Sequence, residues 1–207
     1  MDEVMSATAL AQRLADRLAH LRFQPDQIVK AKAVLRNRRD RRGDRPGLEG
    51  HEYVVETLLR PVVTGWAVSA LDIPSLDLPA RVNSSHYHTS DDPRWPFQWT
   101  EFKRLHPEVD THDLEGHSRR GDLFIDTGAG RLVSIDFKYL QPKRTLDVAT
   151  CVRQLRVYLG KHAASVLVIY AGIPPSSRLQ AAIKDVQEGV QDERAFVAVV
   201  HGPPVEF

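Results

Sequence analysis

The run RLVSIDFKYL, residues 131–140, follows DLFID at 122–126 with only Thr127, Gly128, Ala129 and Gly130 between them. In the longer run Val133, Ile135, Phe137 and Tyr139 alternate with Ser134, Asp136 and Lys138. That period of two is the mark of a strand with one face in a core. In the shorter run Leu123 and Ile125 take the apolar face, and Asp122, Phe124 and Asp126 take the other. Two strands are therefore expected, at about 122–127 and 131–139, both aiming acids the same way.

The turn sets their register. A three-residue hairpin loop favours glycine in the left-handed position at its end, which is where Gly130 stands. Such a loop puts Asp122 directly across from Asp136. Facing like charges destabilise a sheet, so a fold that keeps this pair is expected to offset the repulsion with a cation. Mg²⁺ or Mn²⁺ suits two carboxylates, and Lys138 lies two residues along on the same face. The plainer alternative is a solvated strand face with an exposed acid and base. Asp126, beside the turn, is expected only to cap it.

Beyond Tyr139 the pattern predicts a helix over about 146–161, a buried strand SVLVIYAG at 165–172, a helix over 176–189 and a last strand AFVAVV at 195–200. Strands alternating with helices give an α/β class with a central mixed sheet flanked by helices. Upstream, Leu10, Leu14, Leu18 and Leu21 predict a helix over 7–22. A second helix from Asp26 is expected to bury Ile28, Val29, Ala33 and Val34, completing an N-terminal helical hairpin. Arg36, Arg38, Arg39, Arg41, Arg42 and Arg45 then read as a linker ended by Gly43, Pro46 and Gly47. A third helix is expected over 48–59, with Val55, Leu58 and Leu59 inward and Pro61 at its end, and WAVSALDI after it reads as a strand. The stretch to Arg120 is irregular.

At 207 residues and 42% hydrophobic content the chain suits one compact domain, read as 48–207, with an appended segment over 1–47. No stretch approaches the roughly 18 apolar residues of a membrane span, and MDEVMSATAL lacks the order of a secretory signal, so a cytoplasmic protein is expected. Cys151 alone can form no internal disulfide and cannot by itself hold a structural zinc or an iron–sulfur cluster, which leaves oxygen or imidazole to hold any metal. The formal charge of +1 hides the arginine run, which is what phosphate contact requires if the partner is nucleic acid.

Asp122, followed by Asp136-Phe137-Lys138 on a hairpin, resembles the acid and D-x-K elements of the PD-(D/E)XK, or restriction-endonuclease-like, nucleases. Gln154-Leu155-Arg156-Val157-Tyr158 in the next helix is similar to the Q-x-x-x-Y element of the RecB-type branch, and the i, i+4 spacing puts Gln154 and Tyr158 on one helix face. Glu52 or Glu56 stands where that superfamily often carries a further metal-binding acid. Glu52 is preferred because it shares a face with Val55 and Leu59, where an unpaired acid is costly. The resemblance covers about residues 48–170. Gly121 replaces the motif's proline, and the cysteines of the cluster-bearing relatives are missing.

The resemblance implies a metal-dependent deoxyribonuclease with a restriction-endonuclease-like core. Asp122, Asp136, Glu52 and the Phe137 carbonyl would hold Mg²⁺ or Mn²⁺, and Lys138 would assist catalysis. Gln154 and Tyr158 would line the substrate channel, and Arg38, Arg39, Arg41 and Arg42 would contact phosphates or another subunit. DNA is the expected partner, with RNA not excluded. Two other readings stand beside this one: a non-catalytic binding module on a nuclease fold, and a subunit of a DNA-processing complex that dimerises through the first helix. His86 and His88 read as loop residues rather than a metal pair, and Trp95, Phe97 and Trp99 as a plug over the core rather than a base-stacking platform.

Overall fold

The computed structural model describes residues 5–42, 51–73, 82–83, 111–112, 118–119, 123–128 and 131–205. Its centre is a five-stranded mixed sheet in the order β1–β4–β5–β6–β7. These are β1 (Val82–Asn83), β4 (Leu123–Asp126), β5 (Leu132–Leu140), β6 (Ala164–Ala171) and β7 (Ala195–His201), with β2 (Thr111–His112) and β3 (Ser118–Arg119) forming a separate ladder. β4 is antiparallel to β1 and β5, whereas β5, β6 and β7 run parallel. Parallel neighbours need crossovers, and α4 (Val148–Leu159) and α5 (Ser177–Val190) supply them.

The hairpin has the register that its turn predicts, with Leu123 opposite Ile135 and Phe124 opposite Ser134. Thr127 N–H donates to the Arg131 carbonyl at 3.1 Å, and Gly128 takes a φ of 120°, which only glycine adopts cheaply. Asp126 caps the turn as expected, its Oδ1 accepting from Gly128 N–H at 2.7 Å. Gly130 lies outside the described residues.

Each sheet face has its own apolar layer. Val133, Ile135 and Phe137 join Val166 and Val168 of β6 in a core shared with α1 (Ala7–Ala19) and α3 (His51–Leu71). On the other face Leu140, Leu167 and Ile169 pack with Leu155 of α4 and Leu179 and Val186 of α5. α1 is started by Ser6, whose Oγ accepts from Ala9 N–H at 3.1 Å. Its buried Leu10, Leu14 and Leu18 are interleaved with Ala7, Ala11 and Ala15, small residues that let it lie close on β6 and β7. Arg17 also stacks 4.6 Å from the Trp66 ring centroid, linking α1 to α3. The two helices read as a hairpin are thus both held by the rest of the fold, α1 by the sheet and α2 (Pro25–Arg42) by α3.

Three local expectations are corrected. The arginine run is not a linker as far as Arg42, because α2 continues to that residue: arginine is a good helix former, and no glycine interrupts the run before Gly43. Along the part of α2 whose side chains are described, one side is covered, so Ile28 and Ala31 are buried while Val29 is 65% exposed and Ala33 is exposed; the Val34 side chain lies outside the described residues. Pro61 does not end α3, and WAVSAL continues the helix instead of forming a strand. An interior proline costs about 3 kcal/mol, but each fully buried Val or Leu contributes about 1.5–3 kcal/mol. Val54, Val55, Leu58, Leu59, Val63 and Ala67 keep one face in the core on both sides of the proline.

Past β7 the chain is strapped by two tyrosines. Tyr170 O–H donates to the Pro203 carbonyl at 2.9 Å, and Val205 N–H donates to Tyr139 Oη at 2.9 Å. A Cβ on Gly202 would overlap the Tyr170 hydroxyl and lie 2.6 Å from its Cζ, and the fully buried ring has nowhere to go. Gly202→Ala is therefore expected to destabilise the fold by about 1–3 kcal/mol in urea denaturation. An unchanged midpoint would show that the strap is not tightly packed.

Candidate active site

The face of the sheet that meets α4 carries the polar residues of the hairpin. Phe124, Ser134, Asp136 and Lys138 alternate with the core residues on β4 and β5 and so project together toward α4. Ser134 Oγ donates to Ser165 Oγ on β6 at 3.0 Å, which keeps two buried hydroxyls satisfied. Asp136 is buried at 5% exposure, and Lys138 Nζ stands 3.5 Å from its Oδ2 with about a quarter of the lysine side chain exposed. The solvated-face alternative therefore does not apply to Asp136: a buried carboxylate requires a counter-charge, and Lys138 supplies one from the rim.

α4 brings its inner face against this row. Asp147 caps the helix by accepting from Thr150 N–H at 3.0 Å and Thr150 Oγ1 at 2.8 Å, bonds that hold its carboxyl below the usual range. The face it presents inward holds Cys151, Gln154, Leu155, Tyr158 and Leu159. Gln154 and Tyr158 share a face, as their spacing predicts, yet both are buried, at 7% and 1% exposure. Gln154 Oε1 has no hydrogen-bond partner among the described residues. Burial raises the Cys151 thiol to about 11, with Lys138 pulling it down and Asp136 and Asp147 pushing it up. The thiol therefore keeps its proton at neutral pH and is neither a nucleophile nor a ready metal ligand.

The sequence reading missed His162. It lies four residues beyond Tyr158, continuing the Gln154–Tyr158 stripe past the end of α4, and its N–H bonds the Tyr158 carbonyl at 2.7 Å. The imidazole is 3% exposed, with its centroid 5.3 Å from that of Phe124 and 6.2 Å from that of Tyr158. Neither ring nitrogen has a hydrogen-bond partner among the described residues. Burial, with Lys161 adding to it, lowers its pKa to about 4, so the ring is neutral at physiological pH. The i, i+4, i+8 spacing was the available signal, hidden by Gly160, which ends the helix first.

The remaining candidates are only partly within view. Asp122, His86, His88, Trp95, Phe97 and Trp99 lie outside the described residues. Glu52 is on α3, but its side chain and those of Glu56, Arg38, Arg39, Arg41 and Arg42 are likewise outside them. α3 itself packs on the sheet face opposite to Asp136. Among the described residues no three His, Cys, Asp or Glu side chains gather to hold a metal ion, and no helix is long and apolar enough to cross a membrane. No family model, curated protein or solved structure significantly matches the chain.

Proposed function

We propose that the chain is a metal-dependent nuclease of the PD-(D/E)XK type, hydrolysing DNA phosphodiester bonds in DNA processing, repair or defence against foreign DNA. The observation that carries this reading is the buried Asp136 with Lys138 beside it, on a hairpin whose register is the one that pairing with Asp122 requires. The proposed ligands of Mg²⁺ or Mn²⁺ are Asp122, Asp136 and the Phe137 carbonyl; Glu52, the acid that the resemblance adds, starts from a helix on the other sheet face and would join them only by reaching round the sheet. An all-oxygen set fits a hard divalent cation, and the nearby sulfur of Cys151 stays protonated. When bound, such a cation supplies the charge that polarises the phosphodiester and acidifies the attacking water.

In this scheme the Lys138 ammonium orients the water or meets negative charge as it grows on the phosphoryl oxygens. The water oxygen forms the new bond to phosphorus, and the sugar oxygen leaves with a proton. Gln154 and Tyr158 would form the wall behind the scissile phosphate. Arg38, Arg39, Arg41 and Arg42 at the end of α2 would add contacts to phosphates without reading sequence. RNA presents the same phosphodiester and belongs in the same assay.

A second reading, a nucleic-acid-binding or complex-forming module that does not cleave, is favoured by the depth of Gln154 and Tyr158, which leaves them little surface for a substrate. Incubation with linear, circular and single-stranded DNA in Mg²⁺, Mn²⁺ or EDTA separates the two. Cleavage in either metal and none in EDTA is expected. Cleavage that persists in EDTA would rule out the metal mechanism, and absence of cleavage under all conditions would leave the binding module.

A further inference from the structure

Two clefts open along the loop between β5 and α4, residues 141–147. The inner one, about 300 Å³, begins at Lys138 and runs past Gln141 and Arg144 to Thr150. The outer one, about 470 Å³, is lined by Lys143, Arg144, Ser176, Arg178 and Asp185. Leu140, Arg144, Thr145 and Leu146 line both, so the clefts meet over the loop and lead from Lys138, the neighbour of Asp136, to the start of α5.

Their charge is one-sided. Lys138, Lys143, Arg144 and Arg178 contribute four cations, against the acids Asp147 and Asp185. Asp147 is already engaged as the cap of α4, which leaves Asp185 as the one lining acid without that duty. Lys143, Arg144 and Arg178 are exposed, and none forms an ion pair among the described residues. Lys143 also takes a left-handed φ of 65° in the loop, a conformation that lysine rarely adopts. Unpaired cations along a cleft that starts at a phosphodiester-cleaving centre complement a polyanion in line with that centre.

We propose that the two clefts form one track for the phosphodiester backbone of a nucleic-acid strand leaving the Asp136–Lys138 centre, with Lys143, Arg144 and Arg178 gripping successive phosphates. The proposal rests on the nuclease reading and concerns a different surface from the arginines of α2. Ser176 lies along the same wall, its Oγ accepting from Leu179 N–H at 3.2 Å and its hydroxyl proton left to donate to a phosphate.

Fluorescence anisotropy of labelled single-stranded and duplex oligonucleotides, in EDTA and over a series of NaCl concentrations, tests the track without relying on cleavage. The triple variant Lys143→Gln/Arg144→Gln/Arg178→Gln is expected to weaken binding by roughly 10- to 100-fold at low salt and to reduce the log–log salt slope by about 2–3. Asp185→Asn is expected to tighten binding a few-fold. Should the triple variant not fold, Arg178→Gln alone should reduce the slope by about 1. Wild-type affinity and slope in the variants would overturn the track, whatever the metal-dependent cleavage assay shows. A wild type that binds no nucleic acid would overturn the track and the nuclease reading together. Binding that the variants lose, in a protein that never cleaves, would support the track and overturn the catalytic reading alone.

Discussion

Asp136→Asn is expected to abolish phosphodiester cleavage, by about three orders of magnitude or more, while nucleic-acid binding stays equal or becomes stronger. A loss of that size corresponds to about 4 kcal/mol of transition-state stabilisation, the scale expected when a carboxylate that holds the catalytic cation becomes an amide. On the proposed function binding moves the other way, because the same change removes negative charge from a surface that phosphates would approach. It also removes the charge that stands 3.5 Å from the Lys138 ammonium in the native protein. A readout independent of turnover comes from linkage. At Mg²⁺ concentrations about 100-fold above its dissociation constant, the wild type should gain about 2.7 kcal/mol of stability, and the variant little. A variant that cuts at the wild-type rate, or a wild type whose melting ignores Mg²⁺ and Mn²⁺, would sink the catalytic reading.

The second large effect is acid lability centred on His162. Its folded-state pKa of about 4 lies below the unfolded value of 6.5, so the native state binds fewer protons than the unfolded chain between these limits. The stability linked to this residue is therefore complete above about pH 6.5, falls as pH drops from there, and is lost by about pH 4. The loss integrates to roughly 3 kcal/mol, with a slope of up to about 1.4 kcal/mol per pH unit. His162→Phe places an apolar ring of similar size between Phe124 and Tyr158 and removes the titration. Urea denaturation at a series of pH values should then show a shallower acid slope for the variant, since carboxylates contribute alike to both proteins. Parallel slopes would mean that the imidazole takes up its proton without unfolding.

The hairpin was legible because strand period and turn length leave few alternatives: alternation from Val133 to Tyr139 fixes the faces, and the short loop fixes the partner of each residue. The stripe of α4 was legible for the same reason, a period met by helix spacing. What local sequence could not give was the outcome of competition between local cost and distant burial. Pro61 carries a local penalty that counts only until Val63 and Ala67 are seen to reach the core beyond it. Val29 is as apolar as Ile28, yet the packing of α2 buries the one and leaves the other in solvent. At the site, alternation put Asp136 and Lys138 on one face, but how deeply that face is buried depends on α4 lying over it. His162 escaped notice because it belongs to the helix stripe by direction and to the following loop by sequence.

β5 lies between β4 and β6: its residues 132–135 pair with β4 and 133–140 with β6, so Asp136 and Lys138 follow directly on a stretch paired along both edges and keep β6 as a neighbour themselves. Amide protons in such a strand exchange with solvent only through global unfolding, whereas those of a surface loop exchange through local opening. Hydrogen exchange is therefore expected to be slow in the strand that carries the acid and the lysine. The 141–147 loop next to them lies outside the ladder and is expected to exchange faster. On the proposed function, slow and fast exchange would then mark a fixed centre and an adjustable approach to it within a few residues of one chain.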